Sequence, residues 1–112
     1  MKRQLLGILA LALLFSCSSG PKKTAQEFTE NIAKGKIVEA KKFATEGTGQ
    51  MIDMASAFGG MPIDPNFEFN FLRDSIEKNR AWVYYEDHEG SKDVVELVKI
   101  DGEWLVHVNA DK

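Results

Sequence analysis

Two hydrophobic periodicities divide the chain, and the change falls near residue 60. Before it, apolar side chains recur every three or four positions, the helical period; from 67 onward they recur every second position, the strand period. Phe28 and Ile32 stand four apart with Ala25 a turn below, which predicts a helix over 24–34 that Gly35 ends. Ile37, Ala40, Lys41 and Ala44 share one side, broadened by Phe43, and predict a second helix over 37–44. The run 46–49 contains Gly47 and Gly49 and reads as a break. Thr48 then caps a third helix over 50–58, with Met51, Met54, Ala55 and Phe58 on its inward face. Gly59, Gly60 and Pro62 stop that helix, and 63–66 reads as a loop.

In the second half Phe67, Phe69 and Phe71 alternate with polar residues, and this strand continues through Leu72 to Glu77. Lys78 and Asn79 form a turn, and strands follow over 80–87, 92–100 and 103–109. Asp101-Gly102 between the last two is a type I′ hairpin signal, because both central residues of that turn need positive φ. It sets Lys99 opposite Trp104, Leu97 opposite Val106 and Val95 opposite Val108. Taking 88–91 as the preceding loop sets Asp87 opposite Lys92, Trp82 opposite Leu97, and Glu86 opposite Asp93 as a mildly repulsive pair. One face then carries Trp82, Tyr84, Val95, Leu97, Trp104 and Val106 and is expected to receive the helices. The other mixes Val94, Val98, Ile100 and Leu105 with Glu96, Glu103 and His107. It is too apolar for plain solvent surface, so Val94, Val98 and Leu105 are expected to form an interface, in a homodimer or against an envelope protein. Helices first and an antiparallel sheet after them make an α+β domain: N-terminal helices packed on a curved antiparallel four-stranded sheet.

The first residues follow neither pattern. Lys2 and Arg3 precede an apolar run over 5–15, which Ser16-Cys17 closes. Positive, then apolar, then small is the layout of a secretory signal. The run is about a dozen residues, short of the roughly 20 that span a bilayer. Leu14, Ser16 and Cys17 resemble the lipobox of bacterial lipoproteins, which implies cleavage before Cys17 and lipidation of its thiol. Cys17 is the chain's one cysteine, so it has no disulfide partner, and lipidation gives it a use. The expected organisation is a signal peptide over 1–16, a lipidated tether over 17–23 and the α+β domain over 24–112. No acidic cluster and no aspartate follows Cys17; by resemblance to lipoprotein sorting signals, this implies an outer-membrane, periplasm-facing anchor.

Charge excludes one class of partner. Without Lys2 and Arg3 the chain keeps 12 basic against 17 acidic side chains, a net charge of −5, which argues against nucleic acid and against a polybasic hold on anionic lipid. A domain of this size buries only about 60–65% of its unfolded surface, so its core must be well filled. No catalytic residues emerge. Tyr84 is the one candidate donor on the assumed inner face, and no carboxylate stands across from it. His88 and His107 are too far apart in the chain to suggest a metal site, and His107 opposite Glu96 reads as an ion pair below neutral pH. Met51, Met54 and Met61 read as core filling rather than copper ligands. No cofactor motif is present.

Three stretches carry a further resemblance: AKGKIVEAKKFAT (33–45), RAWVYYED (80–87) and VKIDGEWLV (98–106). They are similar to small bacterial lipoproteins of unknown function with a nuclear-transport-factor-2-like domain, also described as cystatin-like or lumazine-binding-like. Gly35-Lys36 departs from the Gly-Asp common at that helix start. The resemblance implies a curved sheet wrapped round helices, enclosing a cone-shaped pocket. Phe28, Ile32, Met51, Phe58, Trp82, Tyr84 and Trp104 are the expected lining. The implied role is a membrane-anchored, non-enzymatic binding module for a small apolar ligand. An interaction protein with a closed core is the alternative, and a weak isomerase- or dehydratase-like enzyme, as ketosteroid isomerases on this fold are, the third.

Overall fold

A computed structural model describes residues 20–108; the signal segment, Cys17 and residues 109–112 lie outside the described residues. The described residues form helices α1 (Pro21–Ala33), α2 (Ile37–Lys41) and α3 (Glu46–Ala57), then strands β1 (Asn70–Glu77), β2 (Arg80–Glu86), β3 (Lys92–Ile100) and β4 (Glu103–Val106). The strands lie in sequence order, each antiparallel to the next. This is the expected α+β layout.

α1 begins three residues before the expected start. Gly20 is extended and Pro21 takes the first helical position, where its missing N–H costs nothing and its fixed φ suits the helix. Residues 21–23 are therefore helical. At the other end the Gly35 N–H donates to the Ile32 carbonyl (3.0 Å) and the Lys36 N–H to that of Asn31 (2.8 Å). Gly35 sits at φ +79°, and the pair of bonds is a Schellman cap.

α2 stops at Lys41, short of the expected Ala44, because the sheet claims the chain. The Val106 N–H donates to the Phe43 carbonyl (2.8 Å) and the Thr45 N–H to that of Val106 (2.9 Å), a parallel bridge on the free edge of β4. α3 starts at Glu46 rather than Gln50, and its cap is Thr45, whose hydroxyl accepts from the Thr48 N–H (3.3 Å). Gly47 and Gly49 lie in the first turn and break nothing. Thr48, Gly49 and Ile52 are the buried face of α3. Met51, Met54 and Phe58 point outward instead of into the core, with Phe58 83% exposed. Two polar contacts set that orientation: the Lys41 ammonium on the Asp53 carboxylate (2.8 Å) and the Val108 N–H on the Thr48 hydroxyl (2.9 Å).

At the last hairpin Asp101 and Gly102 have φ +50° and +83°, the expected type I′ turn, and Leu97–Val106 and Lys99–Trp104 pair as predicted. The preceding hairpin differs by one residue. Its loop is 87–91, so Glu86 faces Lys92, Tyr85 faces Asp93, Trp82 faces Glu96 and Ala81 faces Leu97. The repulsive Glu86–Asp93 pair does not form. A one-residue slip turns every β2 side chain to the other face. Ala81, Val83 and Tyr85 thus look toward the helices, and Trp82 and Tyr84 look away. The cause is Asp87, whose Oδ1 accepts from the N–H groups of Glu89 (2.8 Å) and Ser91 (2.9 Å), which makes it part of the loop.

The core is Ala25 of α1 against Ala81, Val83, Val95, Leu97 and Val106, with Phe28, Phe69, Tyr85 and Trp104 packed around it. Alanines on both sides let the α1 backbone lie close to the sheet. Leu97 is the largest wholly buried side chain, and its burial contributes about 1.5–3 kcal/mol. β1 lies beyond the helices' cover and is exposed along its whole length. Among the described residues no helix is long and apolar enough to cross a membrane.

A candidate ligand cleft between α1 and the sheet

α1 places Phe28, Thr29, Ile32 and Ala33 on one stripe, by its i, i+4 spacing. Past the core, that stripe and the first half of β3 diverge and leave an open cleft of about 610 Å³. The loop before β1 forms one side with Pro62, Asp64 and Phe67, β2 contributes Tyr85 from the helix-facing side of the sheet and Trp82 from the other, and the residues after β4 add His107 and Val108. β4 ends at Val106, the His107 N–H still donates to the Glu96 carbonyl (3.0 Å), and the bond from the Val108 N–H to Thr48 then turns the chain from β3. Residues 92–95 of β3 thus have no strand on that side, and Asp93, Val94 and Val95, of both parities, reach the cleft wall together with Glu96.

Tyr85 is the best-defined side chain there. Its ring stacks on Phe69 (centroids 4.8 Å apart) and meets Phe67 edge to face at 6.1 Å. Burial, then the nearby charges of Asp93 and Asp87, raise its pKa above the ordinary phenol value, so the hydroxyl stays protonated and able to donate. Asp64 is held by its N–H, which donates to the Ala33 carbonyl (2.8 Å), while its carboxylate accepts from the Asn66 N–H (3.1 Å). Behind Asp64 stands His88 of the β2–β3 loop, Nδ1 3.9 Å from the Asp64 carboxylate and Nε2 3.7 Å from that of Glu89. That Nδ1 is buried without a hydrogen-bond partner among the described residues.

Of the residues expected to line a pocket, Phe28, Ile32 and Trp82 stand on the cleft wall. The others are elsewhere. Met51 and Phe58 are on the outward side of α3. Tyr84 is on the opposite sheet face, under the Arg73 guanidinium at 3.9 Å, because the β2 register is shifted. Trp104 packs against the core with the Lys99 ammonium 5.6 Å from its ring. The expected His107–Glu96 ion pair is absent: Arg80 takes the Glu96 carboxylate, and His107 Nδ1 lies 3.1 Å from the Thr45 hydroxyl. Val98 and Leu105 face each other on the outer face, half-buried, and Val94 is 43% exposed.

Sequence reasoning missed Tyr85, Asp64 and Asp93. The signal for Tyr85 was present: Asp87 and Gly90 occupy the first and fourth positions of a type I turn, where those residues are favoured. Reading that turn lengthens the loop and brings Tyr85 inward. Among the described residues no three His, Cys, Asp or Glu side chains converge as a metal site.

No protein-family profile matches the chain, and comparison with curated protein sequences finds no match. Comparison with solved structures does find one. The crystal structure of a Campylobacter jejuni protein that carries the name NTF2-like transpeptidase superposes with a TM-score of 0.56 at 18% sequence identity, over 81% of this chain and 100% of that one. At that identity the likeness carries fold and not activity. The three helices on a four-stranded antiparallel sheet, with a cleft between them, have the nuclear-transport-factor-2-like fold.

Proposed function

We propose that the protein is a lipid-anchored, non-enzymatic binding module of the bacterial envelope whose cleft takes a small apolar ligand. The observation that carries this reading is the cleft of about 610 Å³, walled by Phe28, Ile32, Phe67, Tyr85 and Val106. Small-molecule sites are typically concave, mostly apolar and about 300–1,000 Å³ in volume. The anchor rests on the signal-like segment and Cys17. It places the cleft at the outer membrane, facing the periplasm.

Native mass spectrometry of gently purified protein tests the binding role. The expected result is a retained small molecule that is lost when Ile32→Trp fills the cleft. Protein that carries nothing and takes up no apolar probe sinks the reading. Cys17→Ala tests the anchor and is expected to move the protein from the membrane to the soluble fraction; unchanged fractionation rules out lipidation at that residue.

A second reading is supported by the exposure of Val94. The outer sheet face, with Val98 and Leu105, docks a second copy or an envelope protein. A strictly monomeric protein at high concentration counts against the self-interface.

A further inference from the structure

The cleft has apolar and aromatic walls and carboxylates at its rim. Asp64, Asp93 and Glu96 line it, and no lysine or arginine among the described residues does. Arg80, outside the cleft, neutralises Glu96. Asp93 has no ion-pair partner among the described residues; its Oδ1 accepts only the N–H of Val94 (2.8 Å). Asp64 has only His88 near it, at 3.9 Å. Asp93 also stands directly across the ladder from Tyr85, whose ring is fixed by its stacking on Phe69.

Asp93 is exposed and Asp64 half-exposed, so water solvates both carboxylates and an uncharged apolar ligand gains nothing from them, while an anionic one is repelled. A positive group gains from both the carboxylates and the ring faces, since the negative face of an aromatic ring attracts a cation. Resting on the reading of the cleft as a ligand site, the geometry points to an organic cation as its ligand: an aromatic or alicyclic body against Phe28, Ile32 and Val106, bearing an ammonium or quaternary ammonium group that sits beside Asp93 and Tyr85. The same head group occurs on phospholipids. There the attached phosphate meets the same carboxylates, so a free amine is the better fit.

Three probes of one shape separate this from simple apolar binding: benzyltrimethylammonium, its neutral isostere neopentylbenzene, and the anion benzylsulfonate. Each is titrated into the full chain and followed by the NMR shifts of Tyr85 and Trp82. The cation is expected to bind about tenfold or more tightly than the neutral probe, with the anion not binding. Asp93→Asn is expected to cut that preference several-fold and leave neopentylbenzene unchanged; added salt should weaken the cation alone. Equal or tighter binding of neopentylbenzene overturns the cation assignment and leaves the cleft as an apolar site. Binding of none of the three overturns the ligand site itself. Tighter binding of a water-soluble short-chain phosphatidylcholine than of benzyltrimethylammonium overturns the free amine as the source and assigns a lipid head group.

Discussion

Thr45 shows how much one hydroxyl can organise. It caps α3 through the Thr48 N–H (3.3 Å), meets the Thr48 hydroxyl at 3.0 Å and His107 Nδ1 at 3.1 Å, and its own N–H holds the Val106 carbonyl. Thr45→Val keeps the branched shape and removes the acceptor. It is expected to cost about 1 kcal/mol, the usual loss of a helix N-cap, read as a lower urea midpoint with an unchanged slope. An unchanged midpoint means that water replaces the cap without loss. Tyr85 makes a different prediction. Its folded pKa is raised, first by burial and then by Asp93 and Asp87. A group raised above its unfolded value, about 10 here, has its full stabilising effect below that pH and loses it as pH climbs through the folded value. Stability relative to Tyr85→Phe should therefore be level up to about pH 10 and fall above it. A difference that stays flat through the alkaline range shows that the phenol is not desolvated.

At the scale of elements, local chemistry was legible wherever it acted alone. Asp101-Gly102 set the β3–β4 register from sequence, because a two-residue loop with positive φ at both positions leaves one pairing. The β2–β3 loop was not legible to the residue, since 88–91 and 87–91 are both ordinary lengths and Asp87 fits either a strand end or a turn start. The side-chain bonds to Glu89 and Ser91 decide, and that single position turned Tyr85 toward the helices and Trp82 and Tyr84 away from them. α3 was misread for a related reason. Gly47 and Gly49 are breakers by propensity, but Thr45 caps the turn that contains them and Thr48 is tied to Val108. The Asp87 loop yields its own prediction. Its pKa is lowered, chiefly by the Ser91 N–H, so the stabilisation is present above the ordinary carboxylate value near 3.8 and is lost as pH falls through the lower folded value. Asp87→Ala should remove that acid dependence and speed amide exchange at Glu89 and Ser91. Unchanged exchange at both shows that the carboxylate does not hold the loop.

For the whole molecule, burial decides which apolar surfaces remain to be covered. The helices shield β2 to β4, and β1 stays open along its length. The apolar stripe of α3 faces away from the core because Thr48, Gly49 and Ile52 supply the side that packs. Periodicity found that stripe correctly and could not say which way it turned; two polar contacts, Lys41–Asp53 and Val108–Thr48, are what orient it. Phe58 at 83% and Met54 at 58% are thus more exposed than Val94 at 43% or Ile100 at 45% on the outer sheet face. A contiguous apolar patch marks an interaction surface more often than scattered single residues do. If the protein self-associates, Phe58 and Met54 are the more exposed apolar anchors. Sedimentation of the soluble chain, with residues 1–16 removed and Cys17→Ala, distinguishes the two surfaces. Phe58→Ser is expected to weaken self-association about tenfold or more, because burying one Phe is worth about 1.5–3 kcal/mol, and Val94→Lys to change it little. The reverse order assigns the interface to the sheet, and a chain that stays monomeric at every concentration leaves neither surface as a self-interface.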